Sequence, residues 1–465
     1  MKVRPIHSAT KGAIRMRVTN LYRRLAADRG GNVLMIVGFA LVPLTFSTGM
    51  VIDYSRAARL QAKVNAITDA SALMAVTQPM MLRTKDEAAV AALNMFKAQA
   101  ENLNGLRYTL TGPAVTITTT NTTYDYGALK VVITQTDASG LDRTAVVSYK
   151  AESANKFGNI LGMRTLAISG TSATTAKIAP NIDFYVMLDV SSSMALPVTS
   201  AGIAQMKTMT GGCAFACHQT NPDKSDGTPQ YDKSGRRIDF YTAAHNAGIV
   251  LRVDSGKTAI QDMIDKAQSS MVRNDAIYRM SVSTFSRASD FVNVAPLTSA
   301  LMTAKTQTGT AQAVAVTKGS SYWDRQTEHA DSMVKVAALI PALSGTGTKR
   351  SNDSPQSMLF LVTDGMRNEE RSGQQLGQIL LDQCTAIKAR PNTRIAVLYT
   401  TYDPASIAGD DWSQRNVAWR LPDVARALKA CASPDLFFEV KTDSSISAGM
   451  SALFDKAIAT ARITQ

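Results

Sequence analysis

The sequence predicts an α/β protein built from one N-terminal transmembrane helix, a small α+β region and a doubly wound parallel-sheet domain. Residues 33–52 contain no charged side chain, which predicts the membrane span. Short β-branched runs follow up to residue 180, and apolar runs of strand length alternate with helical patterns after that. We therefore expect a basic segment over 1–32, the span over 33–52, the α+β region over 53–180 and the sheet domain over 181–465.

Composition supports a globular body. The 465 residues, 45% of them hydrophobic and 19% charged, allow about three domains and a sizeable core. This excludes a wholly disordered, collagen-like or many-spanning chain. The net charge is +13, but the first 30 residues hold eight basic side chains and one acid, which leaves only +6 for the rest. The charge therefore requires no nucleic-acid partner.

The apolar run over 33–52 is 20 residues long and would span about 30 Å as a helix. Pro43 lies inside it, which membrane helices tolerate. A buried core helix and a cleaved signal peptide are the alternatives, but the run is long and no small-residue cleavage site follows. We expect an uncleaved anchor. The basic flank then places the N-terminus in the cytoplasm and everything after Asp53 outside it.

Beyond the span, apolar or small side chains recur at steps of three and four, which predicts one face of an amphipathic helix continuous with the anchor. This stripe packs either on its own domain, which we favour, or on another helix. Its residues are Leu60, Val64, Ile67, Ser71 and Met74.

The region up to residue 180 reads as a small α+β unit. Residues 85–103 have helical spacing, and the β-branched runs at 115–124, 128–136 and 144–151 predict antiparallel strands, with a further extended piece at 165–179. We find no catalytic constellation in it.

From residue 182 the pattern predicts a parallel sheet covered by helices on both faces, with ligand sites at the carboxyl ends of its strands. The predicted strands are 183–190, 278–286, 358–365, 394–402 and 436–440. The predicted helices are 330–343, 373–389, 423–432 and 448–463.

Oxygen-bearing side chains follow two of these strands. The first strand ends in a D-x-S-x-S run that contains Asp189, Ser191 and Ser193, and another ends in Asp364-Gly365. Carboxylate and hydroxyl oxygens suit Mg²⁺, Mn²⁺ and Ca²⁺, and so few carboxylates would leave the cation seeking an acidic ligand from outside. Alternatively, Asp189 and Ser191 merely cap the next helix. No nucleophile and base pair stands out, so we do not expect an enzyme.

This arrangement resembles the von Willebrand factor A domain, a Rossmann-like fold, and its metal-ion-dependent adhesion site (MIDAS), over about residues 182–460. The resemblance implies that a Thr from a second loop joins the site. We assign Thr327, with Thr308 and Thr310 as competitors. It also implies metal-dependent protein binding without catalysis or a small-molecule substrate, in which a partner's Asp or Glu completes the coordination. Mg²⁺ is the expected cation, with Mn²⁺ or Ca²⁺ as alternatives.

The four cysteines form two candidate pairs. Cys213 and Cys217 precede His218 in a segment inserted at about 197–245. A local disulfide suits an oxidising compartment, while a zinc site or covalent haem attachment are the alternatives. Cys384 and Cys431 lie on predicted helices and would form a second disulfide, or else remain buried thiols.

The N-terminal part is similar to the TadG-like region of tight-adherence (Flp) pilus assembly proteins. The similarity rests on the basic flank, Gly31-Asn32, the apolar span, Asp53-Tyr54 and the helix ending in DASAL over 69–73. It implies a single-pass protein of the bacterial inner membrane with a periplasmic body, a role in pilus assembly or adhesion, and other pilus components as partners. The fifth residue after Gly31 is Ile36 rather than the Glu of pilins, which favours a permanent anchor. The rival functions are a redox, haem or zinc protein built on Cys213, Cys217 and His218, and a structural pilus subunit.

Overall fold

The computed structural model describes residues 31–135, 141–216, 228–287, 290–313, 326–350, 352–370, 374–408 and 411–461. They form two compact units. Within the described residues, the first unit comprises 31–80, 84–134 and 144–174, and the second comprises 81–83, 135, 141–143 and everything from 175 onward.

The described elements before residue 178 have the following bounds. The helices are α1 Gly31–Ala75, α2 Gln78–Met81 and α3 Lys85–Ala100, and a 3₁₀ turn covers Gly158–Leu161. The strands are β1 Leu106–Arg107, β2 Leu110–Ile117, β3 Asn121–Gly127, β4 Leu129–Thr134, β5 Asp142–Ala154 and β6 Thr165–Lys177.

The long helix α1 has two different halves. Large apolar side chains before residue 53 are exposed, with Leu34 at 79% and Phe39 at 77%, whereas Leu60, Val64 and Ile67 are buried. The second half packs against α3, so the predicted stripe packs on its own unit. By length and composition, α1 contains one candidate membrane span.

The first sheet runs in the order β1-β5-β4-β3-β2, with β6 also paired to β5. Alternate side chains of β3, β4 and β5 are buried, as expected for a sheet with one covered face. One prediction was wrong: the run 115–124 is not a single strand but a hairpin. The turn has no Gly or Pro to announce it, and Thr118 closes it by donating its backbone N–H to the Asn121 carbonyl at 2.8 Å.

The second unit contains the remaining elements. Its strands are β7 Ile182–Asp189, β8 Gln230–Tyr231, β9 Arg237–Ile238, β10 Tyr278–Phe285, β11 Val292–Thr298, β12 Gln356–Thr363, β13 Arg367–Glu370, β14 Gln374–Gly377, β15 Thr393–Thr400 and β16 Phe437–Val440. Its helices are α4 Ser200–Thr210, α5 Phe240–Asn246, α6 Arg252–Asn274, α7 Leu301–Thr308, α8 His329–Leu339, α9 Leu381–Lys388, α10 Pro404–Ile407, α11 Asp411–Asn416, α12 Leu421–Cys431 and α13 Ile446–Ala461, with 3₁₀ turns at Ser192–Ala195 and Ala418–Arg420.

The main sheet has the order β11-β10-β7-β12-β15-β16. All neighbours are parallel except β11, which is an antiparallel edge strand. Phe184, Val186 and Leu188 of β7 face a core shared with α6 and α13, whereas Tyr185 and Met187 face a second core shared with α8, α9 and α12. The predicted doubly wound sheet, covered on both faces, is therefore confirmed, with a mixed edge. The strand order reverses between β7 and β12, where such sheets form a crevice.

Two further differences concern elements that the sequence pattern missed or misplaced. The helix α6 and the edge strand β11 were not predicted, and β11 contains Pro296, which suits an edge. The predicted helix over 373–389 is wrong in its first part, because residues 374–377 pair with β13 instead. Tertiary pairing overrode the apolar spacing there, and only residues 381–388 are helical.

The packing around Gly365, just after β12, leaves no room for a side chain. Its φ is +76°, and a Cβ there would collide with Leu428 and lie 2.8 Å from Val424. We expect Gly365→Ala to lower the midpoint of thermal unfolding of the full chain in detergent. Backbone strain and steric overlap together should lower the free energy of unfolding by about 1–3 kcal/mol or more.

Gly235→Ala is the matched control, because its φ is +74° and nothing lies within 4 Å of the added Cβ. It carries the backbone cost alone. Equal midpoints for the two variants would contradict the proposed clash with Leu428.

Candidate metal centre

The site begins where β7 and β12 end side by side. Leu188 is paired with Val362, so Asp189 and Thr363 follow at the same edge of the sheet. The Thr363 hydroxyl donates to Asp189 Oδ2 at 2.6 Å, and the Ser191 N–H donates to Asp189 Oδ1 at 2.9 Å. Asp189 and Thr363 are fully buried. Both carboxylate oxygens of Asp189 are thus held from two different loops.

The two serines of the D-x-S-x-S run lie next to this carboxylate. Ser191 has extended backbone angles and precedes the 3₁₀ turn, which places its Oγ 3.0 Å from Ser193 Oγ. Ser193 also interacts with Asp364, which lowers the pKa of that carboxyl against the larger effect of burial. Ser191 is buried and Ser193 half-buried. Ser191 makes no capping hydrogen bond to the turn, so the interpretation of this run as a plain helix cap is wrong.

Asp364 is the second buried carboxylate of the cluster. Its oxygens accept the Met366 N–H at 3.2 Å and the Tyr402 hydroxyl at 3.1 Å. Asp189, Ser191, Ser193 and Asp364 therefore form one connected network, as their positions at two strand ends predicted.

Two residues next to Asp364, Arg252 and Tyr402, were not identified as site residues from the sequence. Arg252 is buried at the start of α6, donates to the Thr401 carbonyl and lies 5.1 Å from the centre of the Tyr402 ring. Its charge acts on Asp364. For Tyr402 the sequence held a signal, because it is the last residue of the predicted strand 394–402. Arg252 begins a helix that was not predicted.

Asp189 and Asp364 are two buried acids that nearby positive charge does not fully compensate. Burial raises the pKa of Asp189 to about 7, and the charge of Asp364 adds to the effect. Burial likewise raises the pKa of Asp364, against the opposing charge of Arg252. Two carboxylates placed so closely in a dry site favour either a shared proton or a bound cation.

Thr327 lies in the loop before α8 and is buried. It exchanges backbone hydrogen bonds with Asn368, at 2.9 and 3.2 Å, and the next residue, Glu328, donates its N–H to the Ser286 carbonyl after β10. Within the described residues no hydrogen bond joins Thr327 to the other four. The loop of Thr327 is connected to the cluster through His329, whose Nε2 lies 3.2 Å from Thr363 Oγ1.

A buried acid that the sequence analysis did not single out holds this loop. Glu369 Oε1 accepts the Ala330 N–H at the start of α8 at 3.0 Å, and its other oxygen lies 3.2 Å from Arg367 Nη1. The competing hydroxyls turn elsewhere: Thr308 donates to the Ala304 carbonyl and Thr310 to the Gln307 carbonyl.

The donor set fits a hard divalent cation. It consists of two carboxylates and neutral hydroxyls, and oxygen ligands of this kind suit Mg²⁺, Mn²⁺ or Ca²⁺. Among the described residues there is no group of three or more His, Cys, Asp or Glu side chains that could hold a metal. A site of the D-x-S-x-S type would not form such a group, because hydroxyls replace most of the carboxylates.

The cysteines divide between described and undescribed residues. Cys384 on α9 is bonded to Cys431 on α12, with Cα atoms 5.1 Å apart. Cys213 is half-buried, and its Sγ lies 3.4 Å from the Phe215 carbonyl oxygen. Cys217 and His218 lie outside the described residues, so the three interpretations of that segment stay open.

Comparisons with known proteins bear on both units. No curated protein matches the chain. Among solved structures, the BatB protein from Bacteroides thetaiotaomicron is 13% identical, with 60% of this chain and 100% of that chain covered and a TM-score of 0.32. The vWF domain of the type V pili tip protein Mfa5 from Porphyromonas gingivalis is 10% identical over 62% of this chain and 96% of that chain, with a TM-score of 0.29.

A third structure is proximal thread matrix protein 1 from the mussel byssus, with a zinc-occupied MIDAS motif. It is 12% identical over 61% of this chain, with a TM-score of 0.30, and only 46% of that protein is covered. Such low identities and scores say nothing about a ligand or partner of this chain. The predicted N-terminal resemblance is confirmed: residues 31–78 match the family model described as putative Flp pilus-assembly TadE/G-like.

Proposed function

We propose that this protein is a membrane-anchored, metal-dependent protein-binding component of Flp pilus assembly or surface attachment. The observation that carries the proposal is the network of Asp189, Ser191, Ser193 and Asp364 at the reversal of strand order. In doubly wound sheets this crevice is where ligands bind. Thr327 is the proposed fifth oxygen donor, and Mg²⁺ the proposed cation.

The charges of the site favour an acidic partner group. Two ionised aspartates and Arg252 together carry a net charge of −1, so a divalent cation would change it to +1. A cation in such a site attracts a further anionic oxygen ligand. Asp189, Ser191 and Asp364 are buried while Ser193 is half-buried, so the partner's Asp or Glu would approach from the side of Ser193.

The proposed setting is the bacterial inner membrane, with the N-terminus cytoplasmic and the body in the periplasm. The apolar first half of α1 and the TadE/G-like match over the same helix support the anchor. The bonded pair Cys384–Cys431 suits an oxidising compartment. The proposed partners are other components of the pilus assembly machinery, and the proposed role is binding rather than catalysis.

Without divalent cations, the contribution of Asp189 to the free energy of unfolding should fall as the pH rises from about 4 to about 7, while the buried His329, whose pKa is lowered to about 3, contributes in the opposite sense. The pKa of Asp189 is about 7 in the folded protein and near 3.8 when unfolded, so the folded state keeps a proton that the unfolded state has lost. The loss is on the order of 4 kcal/mol by pH 8. Denaturant unfolding of the full chain in detergent with EDTA, at pH 5 and pH 8, measures it.

Asp189→Asn should remove this contribution, so that its stability falls less, or rises more, between pH 5 and pH 8 than that of the unmodified protein, and saturating Mg²⁺ should have the same effect on the unmodified protein. The exposed Asp262 provides the control, since Asp262→Asn should leave the dependence intact. Equal pH dependence of the unmodified protein and Asp189→Asn in EDTA would contradict the buried, uncompensated pair.

Mg²⁺ or Mn²⁺ titrated calorimetrically into the full chain in detergent should bind saturably. Asp189→Ala should weaken binding by at least about tenfold, as expected on removal of a charged ligand. Ser193→Ala should also weaken it, whereas Ser192→Ala should not, because Ser192 makes no hydrogen bond to the described cluster. In the same way, Thr327→Val should weaken binding and its control, Thr310→Val, should not.

Equal affinity of the unmodified protein and Asp189→Ala would overturn the proposed site. The partner chemistry has its own test: a Glu-containing peptide should displace water from the Mn²⁺-loaded protein and reduce its effect on water-proton relaxation, and the matched Gln peptide should not. Equal effects of the two peptides would reject coordination by a carboxylate.

A further inference from the structure

The loop between β5 and β6 exposes an unusual concentration of large apolar side chains. Phe157 is 42% exposed, Ile160 71%, Leu161 50% and Met163 43%, all within seven residues. Solitary exposed apolar residues are ordinary, but a contiguous group of this kind marks an interaction surface.

Asp53 fixes this loop to α1 at the end of the apolar span. Its Oδ1 accepts the Lys156 N–H at 2.9 Å, and its Oδ2 accepts the N–H groups of Phe157 and Gly158, each at 2.8 Å. The side chain is buried and directly follows Ile52, the last residue of the uncharged run. The position of the loop along the helix is therefore determined by three hydrogen bonds to one carboxylate.

Phe157 packs against the span itself, at Gly49, three residues before the span ends at Ile52. A Cβ on Gly49 would lie 2.7 Å from Phe157 Cβ, so only glycine at this position allows the approach. Leu44, Thr48 and Ile52 line the groove beside the ring. Gly49 precedes Ile52 by three residues, which places it about 5 Å deeper along the helix axis.

We infer that residues 157–163, the interfacial loop, insert into the membrane interface beside the anchor and form a second contact with lipid. This inference rests on the proposed anchor. Interfacial segments bury apolar side chains about 5–10 Å into the boundary between headgroups and acyl chains, which is the depth at which Gly49 places Phe157. The exposed Lys156 and Arg164 flank the loop and supply positive charge at the level of the lipid phosphates.

The test uses the full chain in nanodiscs of phosphatidylcholine and anionic phosphatidylglycerol, with lipids brominated either near the headgroup or deep in the acyl chain. Bromine quenches tryptophan fluorescence only in contact range. The added emission of Ile160→Trp is obtained by subtracting the emission of the unmodified chain. We expect headgroup-proximal bromine to quench it at least as strongly as deep bromine does.

Two further variants separate the possible failures. Leu44→Trp reports on the anchor and should be quenched by deep bromine, whereas Leu73→Trp, 57% exposed and about 30 Å beyond Ile52 along α1, should not be quenched. Quenching at position 44 without any at position 160 would overturn the interfacial loop and leave the anchor intact. A blue-shifted but unquenched Ile160→Trp would mean that protein covers the loop. No quenching at either position would overturn both.

Discussion

The parallel pairing of β7 with β12 is the constraint on which the site depends. Register places Leu188 beside Val362, so two loops that are more than 160 residues apart in sequence must leave the sheet together. Each carries an aspartate that is fully buried, and the charge of Arg252 acts on one of them, Asp364. The burial that makes the sheet core stable also makes these two charges costly without a counter-ion.

Much of this arrangement followed from the sequence because it depends on local patterns. An uninterrupted apolar run of strand length such as 184–188 favours a strand covered on both faces, and a carboxylate directly after it then lies at the edge of the sheet. The predicted positions of Asp189, Ser191, Ser193 and Asp364 needed nothing beyond the two strands. Thr327 was assigned by resemblance, and its role as a ligand remains a prediction.

The missed features depend on contacts that no local pattern records. Arg252 reaches the site only because α6 packs across the sheet, and Glu369 holds the Thr327 loop only because β13 leads back toward it. The segment 373–389 has apolar spacing that suits a helix, but its residues 374–377 pair with β13 as strand β14. The turn at Thr118 contains neither Gly nor Pro, the strongest signals of a reversal, and only Asn121 hints at it.

The uninterrupted course of α1 has a mechanical consequence. The helix runs for 45 residues, of which about 20 suffice to cross a bilayer, so its rod continues for many turns beyond the hydrocarbon. A flexible tether would allow the first unit to swing freely when that unit is pulled. A rod that is packed along its outer half and held by Asp53 at the boundary instead converts a lateral pull into tilt of the span itself. Load on the first unit would therefore reach the far end of the span as a change of angle.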